Sequence, residues 1–282
     1  MRFLAFLRLQ LRTLILRWRW LIPLPVMAFI GYLLTNALKV YLLPDFLSTP
    51  GQTPTVNAWD ALFIAFGNAY YMMFVIANLF LILVCDTLPE GGLGQLALFR
   101  LGSRRSWWAA KSLSVLLAAL LYTLVCMLIV LGVAGIGLSF NWEWSPRTAG
   151  YPTNVLLPFF VPEQMPPLGA AALLLGLDVL GFWALAMLMQ VVTLFTGRYL
   201  YGYFTTLLVL MGSYAVSGSL INVSDVVLLL PPIRNLILTF YPYPFRSIPL
   251  GWSYLYWGVA LAVLFLAGAV ISRRRSYYAP NN

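Results

Sequence analysis

The sequence has no histidine, only two cysteines and two lysines, and charged side chains at just 9% of its 282 residues. Without histidine there are no imidazole metal sites, no haem held by histidine, and no Ser-His-Asp or Cys-His machinery. Cys85 and Cys126 lie in or beside apolar runs about a helix apart. They read as reduced core thiols rather than a disulfide, and two thiols alone do not complete a structural zinc site. The lysines, Lys39 and Lys111, follow Leu38 and Ala110. The Gly-Lys-Ser/Thr core of a phosphate-binding P-loop is therefore absent. So are the Gly-x-Ser-x-Gly and Ser-x-x-Lys nucleophile patterns. An enzyme built on this chain would have to use carboxylates alone, with Asp178, Asp86 or Glu90 as its acid or base.

What is abundant is hydrocarbon. Hydrophobic residues make up 62% of the chain and the mean hydropathy is +0.87. A soluble domain carries about a quarter charged residues, and a disordered chain needs low hydrophobicity with high charge. Both classes are excluded, leaving an all-α polytopic membrane protein. Six apolar runs reach the roughly 20 residues needed to cross a bilayer. They fall at 20–43, 61–84, 111–137, 168–195, 202–221 and 252–272. Six spans place both termini on one side.

The basic residues say which side. Arg2, Arg8, Arg12, Arg17 and Arg19 precede the first span. Arg100, Arg104, Arg105 and Lys111 lie between the second and third, Arg198 between the fourth and fifth, and Arg273, Arg274 and Arg275 after the last. The opposite face holds only Lys39, Arg147, Arg234 and Arg246, with the acids Asp45, Asp60, Glu143, Glu163 and Asp225. The Lys/Arg bias assigns both termini to the cytoplasm. The net charge of +9 is thus a topology signal and not a nucleic-acid footprint, because it is divided among short segments.

Residues 1–19 lack the form of a cleaved signal peptide, since five arginines are scattered through them. Phe3, Leu4, Leu7, Leu11, Leu14 and Trp18 share one helical arc, and Arg8, Arg12 and Arg19 form another stripe. That pattern describes an amphipathic helix lying in the membrane interface with arginines toward anionic headgroups. The other reading is a first span that starts early and tilts.

The segment 85–110 is the longest cytoplasmic connection. Pro89, Gly91, Gly92 and Gly94 break the chain, Leu96 to Leu101 form a short apolar run, and Gly102 ends it. Ser103 is placed to cap a helix leading into the third span. Trp107 and Trp108 are expected at headgroup level. A short helix at about 88–103, held between two spans, suits docking into a groove on a cytoplasmic partner; it equally suits a basic anchor with no partner.

This plan resembles that of permease subunits of ATP-binding-cassette (ABC) transporters of the type-2 exporter class. The resemblance rests on Glu90, Gly94, Leu96, Leu98, Ser103, Arg104, Arg105 and Lys111, and on the N-terminal amphipathic helix ahead of six spans. Gly91 and Gly92 stand where the family often has a basic residue. The resemblance implies an N-terminal elbow helix and a coupling segment using Glu90, Gly91, Gly92, Gly94, Leu96, Leu98, Arg100, Arg104 and Arg105. It implies two copies of a separate ABC ATP-binding subunit carrying the ATP and Mg, since this chain has no P-loop and no cofactor of its own. It also implies a second permease copy or related permease, and a bacterial cytoplasmic membrane. Residues 222–251, with Pro231-Pro232 between apolar pieces too short to cross, then correspond to the half-helices this class places before its last span; an apolar outer cap is the alternative.

Polar groups inside the spans are the remaining candidates. Asp178 is the only acid well inside one. It either binds a cation or proton, or sits neutral and bonded to an Asn or Tyr of a neighbouring helix. Asn68, Asn78 and Gln190 read as interhelix hydrogen-bonding groups. Ser213, Ser217 and Ser219 with Gly212 and Gly218 form a small-residue stripe facing a partner permease, the pathway, or another helix of the same chain. No internal repeat and no paired intramembrane charges are visible, which counts against a secondary transporter built from two inverted halves and against an ion-coupled relay; a stand-alone six-span transporter or channel without an ATPase is the alternative to the permease.

Overall fold

The structure, a computed structural model, describes residues 2–40, 56–88, 103–150, 157, 160–217, 230–237 and 251–274. Among these residues there is no strand, only an isolated bridge between Asn57 and Ser139. The chain runs α1 (Arg2–Ile15), a 3-10 turn (Trp18–Leu21), α2 (Pro23–Val40) and α3 (Ala58–Gly67). A π-helical stretch (Tyr71–Ala77) then leads into α4 (Asn78–Val84) and a second 3-10 turn (Cys85–Thr87). After it come α5 (Arg104–Gly137), the short α6 (Pro146–Gly150) and α7 (Phe160–Gln164), and the long α8 (Pro167–Thr196), α9 (Tyr199–Ser217) and α10 (Gly251–Arg274).

Among the described residues, five helical stretches are long and apolar enough to cross a membrane: Trp18–Lys39, Arg104–Gly137, Pro167–Thr196, Tyr199–Val216 and Gly251–Arg273. A sixth crossing exists if Ala58–Gly67 and Tyr71–Thr87, bent by 90° at their junction, count as one. The continuous second span expected over 61–84 is therefore broken. Asn68 is the cause. Its backbone turns extended (φ −83°, ψ 118°), ending α3, and its side-chain Oδ1 accepts from Tyr70 N at 2.9 Å and Tyr71 N at 3.4 Å. It satisfies the free amides of the next helix as an N-cap does. Apolarity on both sides of the break hides it from a hydropathy reading.

α5 and α8 are the two central columns. Serine at an N-cap starts α5, with Ser103 Oγ accepting from Ser106 N at 3.4 Å. Its 34 residues span about 51 Å at 1.5 Å per residue, more than a bilayer's apolar core. Its buried stripe runs Trp107, Trp108, Lys111, Val115, Ala118, Tyr122, Cys126, Val130 and Ala134. α8 starts with proline at its first position and stops at Gly197, whose φ of 83° suits glycine. The turn into α9 is tight: a β-carbon at Gly202 would overlap Thr193 and the Met189 carbonyl. Small residues likewise bring α10 against its neighbours, with Gly181 on α8 filled by Leu236 and Trp257.

Trp107 and Trp108, expected at headgroup level, are fully buried. Trp108 donates from Nε1 to Phe265 O at 2.9 Å, and its ring fills the space left by Gly268 of α10. The indole pair fastens α5 to the core rather than anchoring it at the interface. In α1, Phe6, Leu7 and Leu14 are buried while Leu4 is exposed, as is Trp18 in the turn that follows. The amphipathic helix thus divides its apolar residues between an inner face on protein and an outer one.

Candidate functional site

One polar cluster joins the end of the broken span to three other elements. Lys111, one turn into the buried part of α5, donates from Nζ to Gln10 Oε1 of α1 at 2.6 Å and to the Thr87 carbonyl at 3.1 Å. Gln190 of α8 donates from Nε2 to Thr87 Oγ1 at 3.1 Å, and that hydroxyl donates in turn to Val84 O at 2.9 Å. Beside them, Asp86 Oδ2 pairs with Arg17 and, at 3.0 Å, with Arg19 Nη2. Lys111 and Gln190 are almost fully buried, at 3% and 1% exposure. Buried charge-assisted bonds of this kind are strong and directional. Asp86, Thr87 and Leu88 are the last described residues before 89–102, and α5 begins just after that segment. The cluster therefore ties Lys111 and Thr87, which flank that segment, to each other, Lys111 to α1, and Thr87 to α8.

Glu90, Gly91, Gly92, Gly94, Leu96, Leu98 and Arg100 themselves lie outside the described residues. Arg104 and Arg105 are described and differ. Arg104 donates from Nη1 to Ser272 O at 3.3 Å and Arg273 O at 2.6 Å, covering the last carbonyls of α10. Arg105 is exposed.

Asp178 lies in the middle of α8, fully buried, and neither oxygen has a hydrogen-bond partner among the described residues. The Asn or Tyr bond expected for it is not among them. One turn on, Phe182 packs against Phe80 at 5.3 Å and Tyr122 at 6.0 Å between ring centres. The Tyr122 hydroxyl instead donates to Ile76 O at 2.7 Å, inside the π-helical stretch, where carbonyls lose their ordinary partners.

The other polar candidates have protein partners. Asn78 Oδ1 accepts from Tyr203 Oη at 2.5 Å, tying α4 to α9. Ser213 Oγ accepts from Ile233 N at 2.7 Å. Ile233, Leu236 and Ile237 are fully buried, so the turn over 231–237 is inserted into the bundle. Asn235 holds it there, accepting from Ser253 Oγ at 2.7 Å and, through its carbonyl, from Trp257 Nε1 at 2.9 Å. The rest of 222–251 lies outside the described residues apart from the first residue of α10, as do Gly218 and Ser219; Ser217 closes α9.

At the opposite end sits a knot that the sequence reading did not single out. Asn57 and Asp60 form a capping box on α3, and Asp60 Oδ1 also accepts from Thr148 Oγ1 at 2.6 Å and Ser145 Oγ at 3.0 Å. Asn57 Nδ2 donates to Glu143 O at 2.9 Å, and Trp59 Nε1 to Asn141 O at 2.7 Å. The Asn-x-x-Asp spacing was its legible signal.

Comparisons of the chain with protein-family models, with curated proteins and with solved structures find no match. The class that the fold defines is a multi-pass all-α membrane protein.

Proposed function

We propose that the chain is the membrane-spanning permease subunit of an ATP-driven ABC exporter in a bacterial cytoplasmic membrane, with both termini cytoplasmic and α1 as its elbow helix. Two ATP-binding subunits, carrying ATP and Mg, would engage the segment 85–110, and a second permease would complete the pathway. The observation that carries this reading is the Lys111–Gln10–Thr87–Gln190 cluster with its Arg17–Asp86–Arg19 pairs. Force applied between Leu88 and Ser103 would reach α1 through Asp86 and Thr87, α5 through Lys111, and α8 through Gln190. Supporting it, Arg17, Arg19, Arg104 and Arg273 gather at the end where Asp86 and the helix termini meet, as a cytoplasmic face requires.

The test is a mild-detergent pull-down of the tagged chain from its native membrane with mass spectrometry. A stoichiometric chain containing a P-loop supports the reading. An intact, monodisperse protein without one favours the second reading, a stand-alone six-span transporter or channel. That reading has one observation of its own, the buried and unbonded Asp178 carboxyl.

A further inference from the structure

A groove of about 380 Å³ lies between α5, α8 and α10. Ala109, Ser112 and Leu113 form one wall, Leu261, Ala262 and Phe265 the other, and Trp183 the floor. Ala262 and Phe265 are exposed, so the groove opens on the outside of the bundle. Its chemistry is that of hydrocarbon. The two polar groups in its walls satisfy each other, Trp183 Nε1 donating to Ser112 Oγ at 3.2 Å, and Ser112 is 2% exposed. A sugar, a peptide or a polar drug would find no donor or acceptor there, and placing its polar atoms in the groove would cost their hydration.

The groove has a charged rim at one end only. α5 begins with Arg104 and Arg105, α10 ends with Arg273 and Arg274, and the Arg104 bonds to the Ser272 and Arg273 carbonyls hold these termini side by side. Arg105 and Arg273 are exposed, and neither helix contains an acid to offset them. Ala109 lies four residues from Arg105 and Phe265 eight from Arg273, so the groove begins about 6–12 Å from the arginines along the helices, and Leu113 and Ala262 carry it to about 12–16 Å. That is the reach of one acyl chain below its headgroup.

We propose that this groove seats one anionic phospholipid, its phosphate at Arg105 and Arg273 and one acyl chain along Ala109, Leu113 and Ala262. The proposal rests on the membrane class of the chain and not on the ATPase partnership, so a negative pull-down leaves it standing. Native mass spectrometry of the full chain, titrated with phosphatidylglycerol or phosphatidylcholine of identical acyl chains, tests it. The expected result is one phosphatidylglycerol retained in preference to phosphatidylcholine. Two interfacial arginines together contribute roughly 25-fold to affinity for an anionic lipid. Arg105→Gln with Arg273→Gln should erase about that preference while leaving the groove open. Ala262→Trp, a change at an exposed position, should lose the bound lipid of either kind. Equal retention of the two lipids by the unaltered protein overturns the proposal, as does retention that Ala262→Trp leaves unchanged in a protein of unaltered elution profile. If Ala262→Trp does not fold, the arginine pair decides alone: an undiminished preference overturns the assignment.

Discussion

Lys111 Nζ stands 2.6 Å from Gln10 Oε1 and 3.1 Å from the Thr87 carbonyl, so one buried ammonium binds the N-terminal helix to the end of the broken span. Removing it leaves the half-buried Gln10 amide oxygen and Thr87 carbonyl without that donor. Lys111→Met should therefore lower stability by about 2–3 kcal/mol, the range for hydrogen bonds to a charged group. Gln10→Ala should cost less, because Lys111 keeps Thr87. A double-mutant cycle read by thermal unfolding in detergent should give a coupling of about 1 kcal/mol between the two positions. A coupling near zero would show that the contact contributes nothing.

Asp86 makes a softer connection. Its carboxylate pairs with Arg17 and Arg19, but the side chains are 26–37% exposed, so water screens the pairs and each is worth at most about 1 kcal/mol. The expected effect of Asp86→Ala is on motion more than on stability. Trypsin should cut at Arg17 and Arg19 faster in the variant, with the unfolding temperature little changed. The exchange Asp86→Arg with Arg17→Asp should restore slow cleavage at Arg19, the site to read there because position 17 is then no longer cut by trypsin. An unaltered cleavage rate in Asp86→Ala would mean that the Asp86 pairs do not restrain the end of the helix.

Much of the bundle was legible because bilayer physics writes it in one variable. The long apolar runs at 111–137, 168–195 and 252–272 lie inside α5, α8 and α10 almost unchanged. Features that depend on which neighbour a side chain meets were not legible. Tryptophan has two stable homes in a membrane protein, the headgroup layer and the packed core, and composition does not separate them. Gly268, 160 residues after Trp108, decides it by making room for the indole. The break at Asn68 was hidden because a polar residue inside an apolar run reads equally as a bond to another helix or as a cap. Lys111 marked the start of the third span, yet its partners come from α1 and residue 87, two elements whose approach no local pattern predicts. For the coupling segment, Arg104 turned out to cover the end of α10, a role that no spacing in 85–110 suggests.

Asp60 should prove the most sensitive acid for folding. It accepts from Ser145 and Thr148 and, within the capping box, from the Asn57 amide at 2.9 Å. Asp60→Ala removes both acceptor oxygens, and with them all three bonds, in a fully buried site and should cost about 3 kcal/mol or more. Asp60→Asn keeps one oxygen but turns an NH₂ toward donors, so it should be destabilised too, by less. Thermal unfolding of the purified variants measures both. Equal stability of Asp60→Ala and the unaltered protein would remove the knot from the forces that position α3.

Glycine at 268 admits a paired test with an internal control. Any β-carbon there meets the rigid, fully buried Trp108 ring, so Gly268→Val should force α5 and α10 apart at a cost of about 1–3 kcal/mol. Gly132 on the same α5 has no atom within 4 Å of the position a β-carbon would take. Gly132→Ala should be neutral or slightly stabilising, since alanine favours helix over glycine. If both variants unfold alike, close packing at Gly268 is not what joins the two helices.

Asp178 separates the two functional readings. Its carboxyl is buried among apolar and aromatic neighbours with neither oxygen bonded among the described residues. In the permease reading it is a tolerated neutral group, and Asp178→Asn should preserve assembly with the ATP-binding subunits and leave ATP-coupled transport within about twofold. Asp178→Leu should be at least as stable as the unaltered protein, because it replaces two unbonded buried oxygens with carbon. In the stand-alone reading the same carboxyl carries a proton or cation through the bundle, as intramembrane acids commonly do, and Asp178→Asn should abolish transport while leaving the fold intact. Transport assayed in proteoliposomes, alongside unfolding temperature, distinguishes the cases. Loss of transport with unchanged stability and no ATPase in the complex would transfer the function from the Lys111 cluster to Asp178.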